Sequence, residues 1–242
     1  MDQSLYRLFF QIQKKHWWFV AKKKIVLNLI GRYLPETHNQ KILDIGCGSG
    51  LMLNALENIG ETCGMDMSDD AIHFSKEIFC GTIRKGMLPD NIPYDNDSFS
   101  LIVALDVIEH VDEDTRALAA IRSRLAEGGK AVITVPAYMF LWSAHDVLNE
   151  HKRRYTLTNL AAKLSEAGFN IEKISYFNTL LFPAVYVVRM LNNVLKRDGA
   201  SDVEMPGKVM NYLLEKTFGI EKYLLRFMNL PFGVSILAVV RK

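Results

Sequence analysis

The sequence predicts an α/β fold: a doubly wound, mostly parallel seven-stranded sheet, with helices before it and a helical insertion ahead of its last strand. Three observations predict it. Between Lys41 and Gly168, short β-branched apolar runs alternate with longer helical patterns, the pattern of strands joined by crossover helices. The first run passes directly into a glycine-rich turn, KILDIGCGSG at 41–50. Gly60 and the Gly128-Gly129 pair then supply stop signals between elements.

In chain order, Leu5, Leu8, Phe9 and Ile12 fall at i, i+3, i+4, i+7, which predicts an amphipathic helix over 4–13. A second helix is expected from Lys22 to Ile30. Strands are expected at Lys41–Ile45, Thr62–Asp66, Thr82–Lys85, Ser100–Leu105 and Lys130–Val135, with a helix starting near Leu51 after the glycine turn. A helix over Thr158–Ala167 stops at Gly168, and Asn170–Tyr176 reads as the sixth strand. Residues 177–234 are mostly helical in pattern, with Ile220, Tyr223, Leu224 and Phe227 at helical spacing. Inside that insertion Arg197–Glu204 is polar, contains glycine and is expected to be mobile. Ser235–Val240 reads as the final strand. The organisation is one domain over 1–242: a helical segment at 1–38, a sheet core at 39–176, an insertion at 177–234 and a last strand at 235–242.

Composition narrows the function classes. With 49% hydrophobic and 23% charged residues, 242 residues suffice to bury a core. Twenty-nine basic against 27 acidic side chains leave a formal charge of +2, too little for a nucleic-acid partner to be expected. Three cysteines, an odd number, point to a reducing, cytoplasmic setting. The longest apolar run, Leu180–Val188, contains Pro183 and stops at Arg189, so neither secretion nor membrane spanning is expected.

The chemistry concentrates at the glycine turn. Glycines 46, 48 and 50 let the backbone approach a ligand closely, and the spacing D-x-G-x-G-x-G differs from the G-x-G-x-x-G of a pyrophosphate-binding turn. Asp66 ends the second strand 20 positions beyond Gly46, where a carboxylate can accept hydrogen bonds from both ribose hydroxyls. Capping of the next helix is the alternative role for Asp66, but Ser68 can serve there. Met67 suits an adenine face or the core equally.

Asp44-Ile45-Gly46-Cys47-Gly48-Ser49-Gly50, then Asp66, Leu88–Pro93 followed by Asp97-Ser98-Phe99-Ser100, and Asp106-Val107-Ile108-Glu109-His110-Val111 occur in that order. On these motifs most of the chain resembles the class I S-adenosylmethionine-dependent methyltransferases, especially the small bacterial group with a generic methyltransferase-type domain. The resemblance implies a Rossmann-like methyltransferase fold whose last strand is antiparallel, with S-adenosylmethionine as cofactor. It implies that Asp44, Gly46, Cys47, Gly48 and Gly50 form the loop meeting the methionyl part, and that Asp66 holds the ribose. Met67 and Leu88 would flank the adenine, with Asp106 and Val107 beside the methionyl group. Met87 stands where many relatives carry an acidic residue for the adenine amino group, so its backbone or Asp90 would take that contact. In the resembling group, an aromatic element like His16-Trp17-Trp18-Phe19 folds over the cofactor as a lid, placing Trp18 and Phe19 beside the site. A helix junction packed on the core is the other reading of that element.

A sulfonium methyl is already electrophilic, so alignment and water exclusion dominate the chemistry, and only some acceptors need a base. Candidates on the acceptor side lie in Pro136–Thr156: Trp142, His145, Asp146, His151, Arg153, Arg154 and Tyr155. His145 beside Asp146 is the first candidate for the base, a surface or capping role being its alternative. Arg154, with Arg153, is expected either to grip an acidic group or to form a flanking salt bridge. His110 is placed near the substrate or as a bracket of the following helix. No metal-ligand set is read. Lys14, Lys15 and Lys22 to Lys24 around the tryptophans, together with apolar 177–195, fit either peripheral membrane contact and a lipid-linked substrate or a covering helical cap. The function expected is methyl transfer to a small or amphiphilic metabolite; the alternatives are a nicotinamide-dependent oxidoreductase and a non-catalytic cofactor-binding scaffold.

Overall fold

The structure, a computed structural model, describes residues 3–34, 40–194 and 205–242, so Arg197–Glu204 lies outside the described residues. Helices α1 (Gln3–Ile12) and α2 (Trp17–Tyr33) precede β1 (Lys41–Ile45). The chain continues through α3 (Leu53–Leu56), β2 (Glu61–Asp66), α4 (Asp69–Lys76), β3 (Ile83–Lys85), β4 (Phe99–Leu105) and α5 (Asp114–Arg124). It then runs through β5 (Leu125–Pro136), α6 (Ala144–Leu148), α7 (Leu157–Glu166), β6 (Asn170–Phe177), α8 (Phe182–Val194), α9 (Lys208–Phe227) and β7 (Ser235–Arg241). The seven strands form one sheet in the order β3-β2-β1-β4-β5-β7-β6. Strands β1 to β5 pair in parallel, and β7 inserts antiparallel between β5 and β6.

Strand alternation explains why both faces are covered. On β4, Ile102 and Ala104 point into a core shared with Leu118 and Ile121 of α5 and Leu160 and Leu164 of α7. Their neighbours Leu101 and Val103 point to the opposite face, against Val26 and Ile30 of α2. Helix α9 adds a third layer there, packing Phe218 and Leu225 against Ile25 and Leu29 of α2 and Leu237 of β7.

Three departures from the sequence reading have physical causes. Helix α2 starts five residues earlier than Lys22 because His16 caps it, its ring Nδ1 accepting from the Trp18 N–H at 3.3 Å. The His-Trp-Trp-Phe element is therefore the cap and first turn of a helix. Strand β5 begins at Leu125, opposite Phe99, and Gly128 (φ +71) absorbs an irregularity within the strand where a stop was expected. The helix expected near Leu51 begins only at Leu53 and lasts four residues, too short to offer a ligand a helix N-terminus.

The insertion is anchored by one buried acid. Glu221 of α9, fully buried, accepts from the backbone N–H of Asn178 at 2.6 Å and of Leu180 at 2.8 Å, fastening the link between β6 and α8. At the other end of the insertion, a Cβ on Gly233 would lie 2.3 Å from the Phe177 carbonyl oxygen. Two backbones meet there with no flexible side chain to yield. Gly233→Ala is expected to destabilise the fold by about 1 to 3 kcal/mol, read as a lower urea midpoint at unchanged slope. Among the described residues no helix is long and apolar enough to cross a membrane.

Candidate functional site

The glycine turn, the ends of β2 and β4, and residues of α2 and α8 line one cavity of about 1140 Å³ at the carboxyl edge of the sheet. That edge is where open α/β sheets bind ligands. Three non-glycine residues just beyond strand ends there have positive φ: Asp106 (+55), Tyr138 (+57) and Asn178 (+58). Such conformations cost energy and gather at functional sites.

Gly46 adopts φ +67, and a Cβ on it would sit 2.5 Å from Cγ2 of Val107, so the turn presses against the end of β4. Asp66 organises the turn from beside it: one carboxylate oxygen accepts from the Gly48 N–H and the other from the Ser68 N–H, both at 2.9 Å. Ser68 caps α4 itself, accepting from Ala71 N–H at 3.3 Å. Burial raises the pKa of Asp66, with the backbone donors of Ser68 and Gly48 opposing. Asp44, deeper in the cavity, is pushed up to about 8 by burial and then by the charge of Asp66. Burial, and then Asp44, raise the Cys47 thiol well above its ordinary value. Met67 and Met87 line the cavity while 61% and 50% exposed, and Leu88, buried, lines it with them.

Asp106 is bridged to the N-terminal segment. Burial alone would raise its pKa, but the Lys22 ammonium, ion-paired with Oδ2, holds it below the usual carboxylate range, helped by Thr134 at 2.9 Å. Lys22 is only 7% exposed, so it is not the membrane-facing cation its neighbours in sequence suggested. Lys24 pairs with Glu215 of α9 at 2.6 Å. Gln13, at the end of α1, grips the glycine turn reciprocally: its amide donates to the Ser49 carbonyl at 3.1 Å and accepts from the Ser49 hydroxyl at 2.8 Å. Trp18 and Phe19 both line the cavity, and Trp18 also stacks on Phe218, centroids 5.2 Å apart.

On the acceptor side the expected His145–Asp146 pair does not form. Asp146 is fully buried; Oδ1 accepts from His151 Nδ1 and Arg154 Nε, both at 2.8 Å, and Oδ2 from Arg154 Nη2 at 2.9 Å and the Ser143 N–H at 2.8 Å. Adjacent residues on α6 point apart, so the His145 ring lies against Asn149 instead, its Nε2 3.2 Å from Asn149 Nδ2, which also donates to the His145 backbone carbonyl at 2.7 Å. Burial opposes ionisation of Asp146, yet His151 and Arg154 hold its carboxyl well below the ordinary range. His145, His151, His110 and Arg154 line the cavity. The guanidinium of Arg154 is engaged by Asp146 and by the Ala137 carbonyl (3.0 Å), the salt-bridge arrangement of its two expected roles.

Five expected site residues, Arg153 among them, lie off the cavity wall. Asp146 stands behind His151 and Arg154. Gly50 packs at the turn's exit, where a Cβ would meet Ser75 of α4 at 3.1 Å. Tyr155 is buried in the core and donates to Asp114 at 2.9 Å. Trp142 is half-buried elsewhere on its loop. Asp90 remains on the wall but pairs with Arg116. Arg153 pairs with Asp114 at 3.0 Å.

Sequence reasoning missed Gln13, His16, Lys22, Glu109 and Arg189, all on the wall. Each comes from a helix or turn whose inward face depends on tertiary packing. Glu109 stands out: it is fully buried, neither carboxylate oxygen has a hydrogen-bond partner, and burial followed by the charge of Asp106 drives its pKa well up. Beside it, burial and then His151 lower His110 to about 4, leaving that imidazole neutral.

Residues 17–174 match the family described as "Methyltransferase domain". A curated relative, the ubiquinone biosynthesis O-methyltransferase of Glaesserella parasuis, is 24% identical over 155 residues, covering 54% of this chain and 66% of that protein. The chain spans about half to two thirds of the length of the curated relatives it matches. In fold it is similar to an S-adenosylmethionine-dependent methyltransferase of Mesorhizobium loti, with TM-score 0.59, 17% identity, and coverage of 88% of this chain and 96% of that one. It is also similar to phosphoethanolamine N-methyltransferase 2 of Haemonchus contortus in complex with S-adenosyl-L-methionine, with TM-score 0.57, 17% identity, and coverage of 98% and 60%.

Proposed function

We propose, given that this chain belongs to the methyltransferase domain family, as a class I S-adenosylmethionine-dependent methyltransferase, that it moves the sulfonium methyl to an oxygen of a small or amphiphilic metabolite. The observation that carries this reading is the single cavity that joins the glycine turn, Asp66 and Asp106 to a further, largely apolar wall from α8. At about 1140 Å³ it exceeds the roughly 300 to 1,000 Å³ of a single-ligand pocket, leaving room for two reactants. The curated relatives named for ubiquinone biosynthesis O-methylation favour oxygen as the acceptor atom.

Asp66 receives the ribose hydroxyls: each of its oxygens takes one backbone N–H and retains a lone pair. Met67 and Met87, apolar yet exposed on the wall, clasp the adenine together with Leu88, and the Met87 backbone or Asp90 meets its amino group. The turn from Asp44 to Gly48, Asp106 and Val107 hold the methionyl part. When bound, S-adenosylmethionine supplies an electrophilic methyl, so the chain's task is alignment and exclusion of water. Helices α1 and α2 act as a lid that Gln13 and Lys22 tie to the site, and α8 and α9 as a cap that sets acceptor choice. Leu181, Val185 and Val188 of the cap suit an amphiphilic or lipid-linked acceptor.

Purified protein incubated with methyl-labelled S-adenosylmethionine and a metabolite extract is expected to yield a labelled small molecule, identified by mass. Cofactor binding without any labelled product would favour a scaffold. Calorimetric binding of a nicotinamide dinucleotide in place of S-adenosylmethionine would favour the oxidoreductase.

A further inference from the structure

We propose that Glu109, His110 and His151 bind a divalent transition-metal ion at the acceptor end of the cavity. One donor atom from each lies within 4.8 Å of the others, and His151 Nε2 is 3.9 Å from Glu109 Oε1. Donors about 2.1 Å from a shared ion lie roughly 3 to 4 Å apart, so small side-chain rotations close the set. Two imidazoles and one carboxylate suit zinc, iron(II), cobalt(II) or manganese(II) better than magnesium or calcium, which prefer oxygen.

Two independent features point to a ligand. The first is Glu109: a carboxyl that is fully buried, faces the cavity and has no hydrogen-bond partner is costly unless something cationic joins it. The second is the tautomer set behind His151. Asp146, already bound by Arg154, accepts from His151 Nδ1 at 2.8 Å, which leaves the Nε2 lone pair free on the side of Glu109. A carboxylate orienting a histidine in this way is the usual backing of a metal-bound imidazole. His110 lies on the same cavity wall and packs edge-on against His151, ring centroids 4.8 Å apart. The sequence hid the set because Glu109 and His110 follow β4, whereas His151 comes from the loop after α6.

Resting on the methyl-transfer reading, this site deepens it by favouring hydroxyl acceptors. An acceptor hydroxyl entering an open position on the ion is acidified and loses its proton to water. The resulting oxyanion forms the new C–O bond to the methyl carbon, the C–S bond breaks, and its electron pair returns to sulfur. No oxidant or reductant is required.

Cobalt(II) is the probe for the test. Tag-free full-length protein, stripped with chelator and carrying Cys80→Ser to remove an exposed thiol, is titrated while the visible absorption of the ion and calorimetric heats are followed. One saturable ion per chain, with a ligand-field band, is expected. Glu109→Gln and, separately, His110→Gln are each expected to weaken binding more than about 10-fold, and His73→Ala, on an exposed face, to leave it unchanged. Absence of saturable binding, or equal binding by the wild type and both variants, overturns the site. S-adenosylmethionine binding is measured in parallel: if it persists without metal binding, only the metal site falls, whereas its loss in the wild type overturns the methyltransferase reading instead.

Discussion

Replacing Asp146 by alanine is expected to lower the unfolding free energy by about 3 to 5 kcal/mol, the cost of leaving one member of a buried ion pair without its partner. Arg154 would be that member, its side chain only 2% exposed and its Nε and Nη2 both bound to the missing carboxylate. The same carboxylate also accepts from the Ser143 N–H at the start of α6 and from His151 Nδ1, so helix start and histidine orientation are lost together. Urea denaturation followed by circular dichroism measures the loss. A change under about 1 kcal/mol would show that water reaches Arg154 and solvates it. Exchanging both partners for apolar residues of similar volume is expected to recover much of the stability, because the penalty is that of an orphaned charge.

The second large effect concerns the proposed ribose ligand. Asp66→Ala is expected to weaken S-adenosylmethionine binding by about 1 to 3 kcal/mol, the range for loss of a charged hydrogen-bond partner, with near-wild-type thermal stability. Two losses act together. The hydroxyls lose their acceptor, and the Gly48 N–H loses the bond that holds the glycine turn in shape. Asp66→Asn separates them: an amide oxygen can still accept from one backbone donor but brings no charge to the diol. Calorimetry on the three proteins decides the matter, and unchanged affinity in Asp66→Ala would remove the ribose assignment.

Much of the sheet was legible because most strands are short apolar runs bounded by glycine or a helical pattern, and Lys41–Ile45 was read with its observed limits. The placing of the glycine turn beside Asp66 was legible for a related reason: both form from residues at consecutive strand ends, and parallel pairing sets Asp44 beside Gly64 and Ile45 beside Met65. The arrangement of 142–155 was not. His145 and Asp146 are neighbours in sequence and therefore point apart on α6, while Asp146 finds His151 and Arg154 only once the loop folds back. Lys22 read as one of a surface run of lysines, yet the turn of α2 carries it inward to Asp106 and leaves Lys24 to meet Glu215. The start of α2 was missed because a histidine ring does the work usually given to serine, threonine, aspartate or asparagine.

The position of β7 between β5 and β6 governs the timing of assembly during synthesis. Until residues 235–241 clear the ribosome, β6 has no sheet partner and β5 presents a raw edge, although every residue of the glycine turn has long since emerged. Nascent chains arrested in the insertion thus expose an apolar strand capable of pairing with another polypeptide, and a chaperone that shields this edge would raise the yield of native protein.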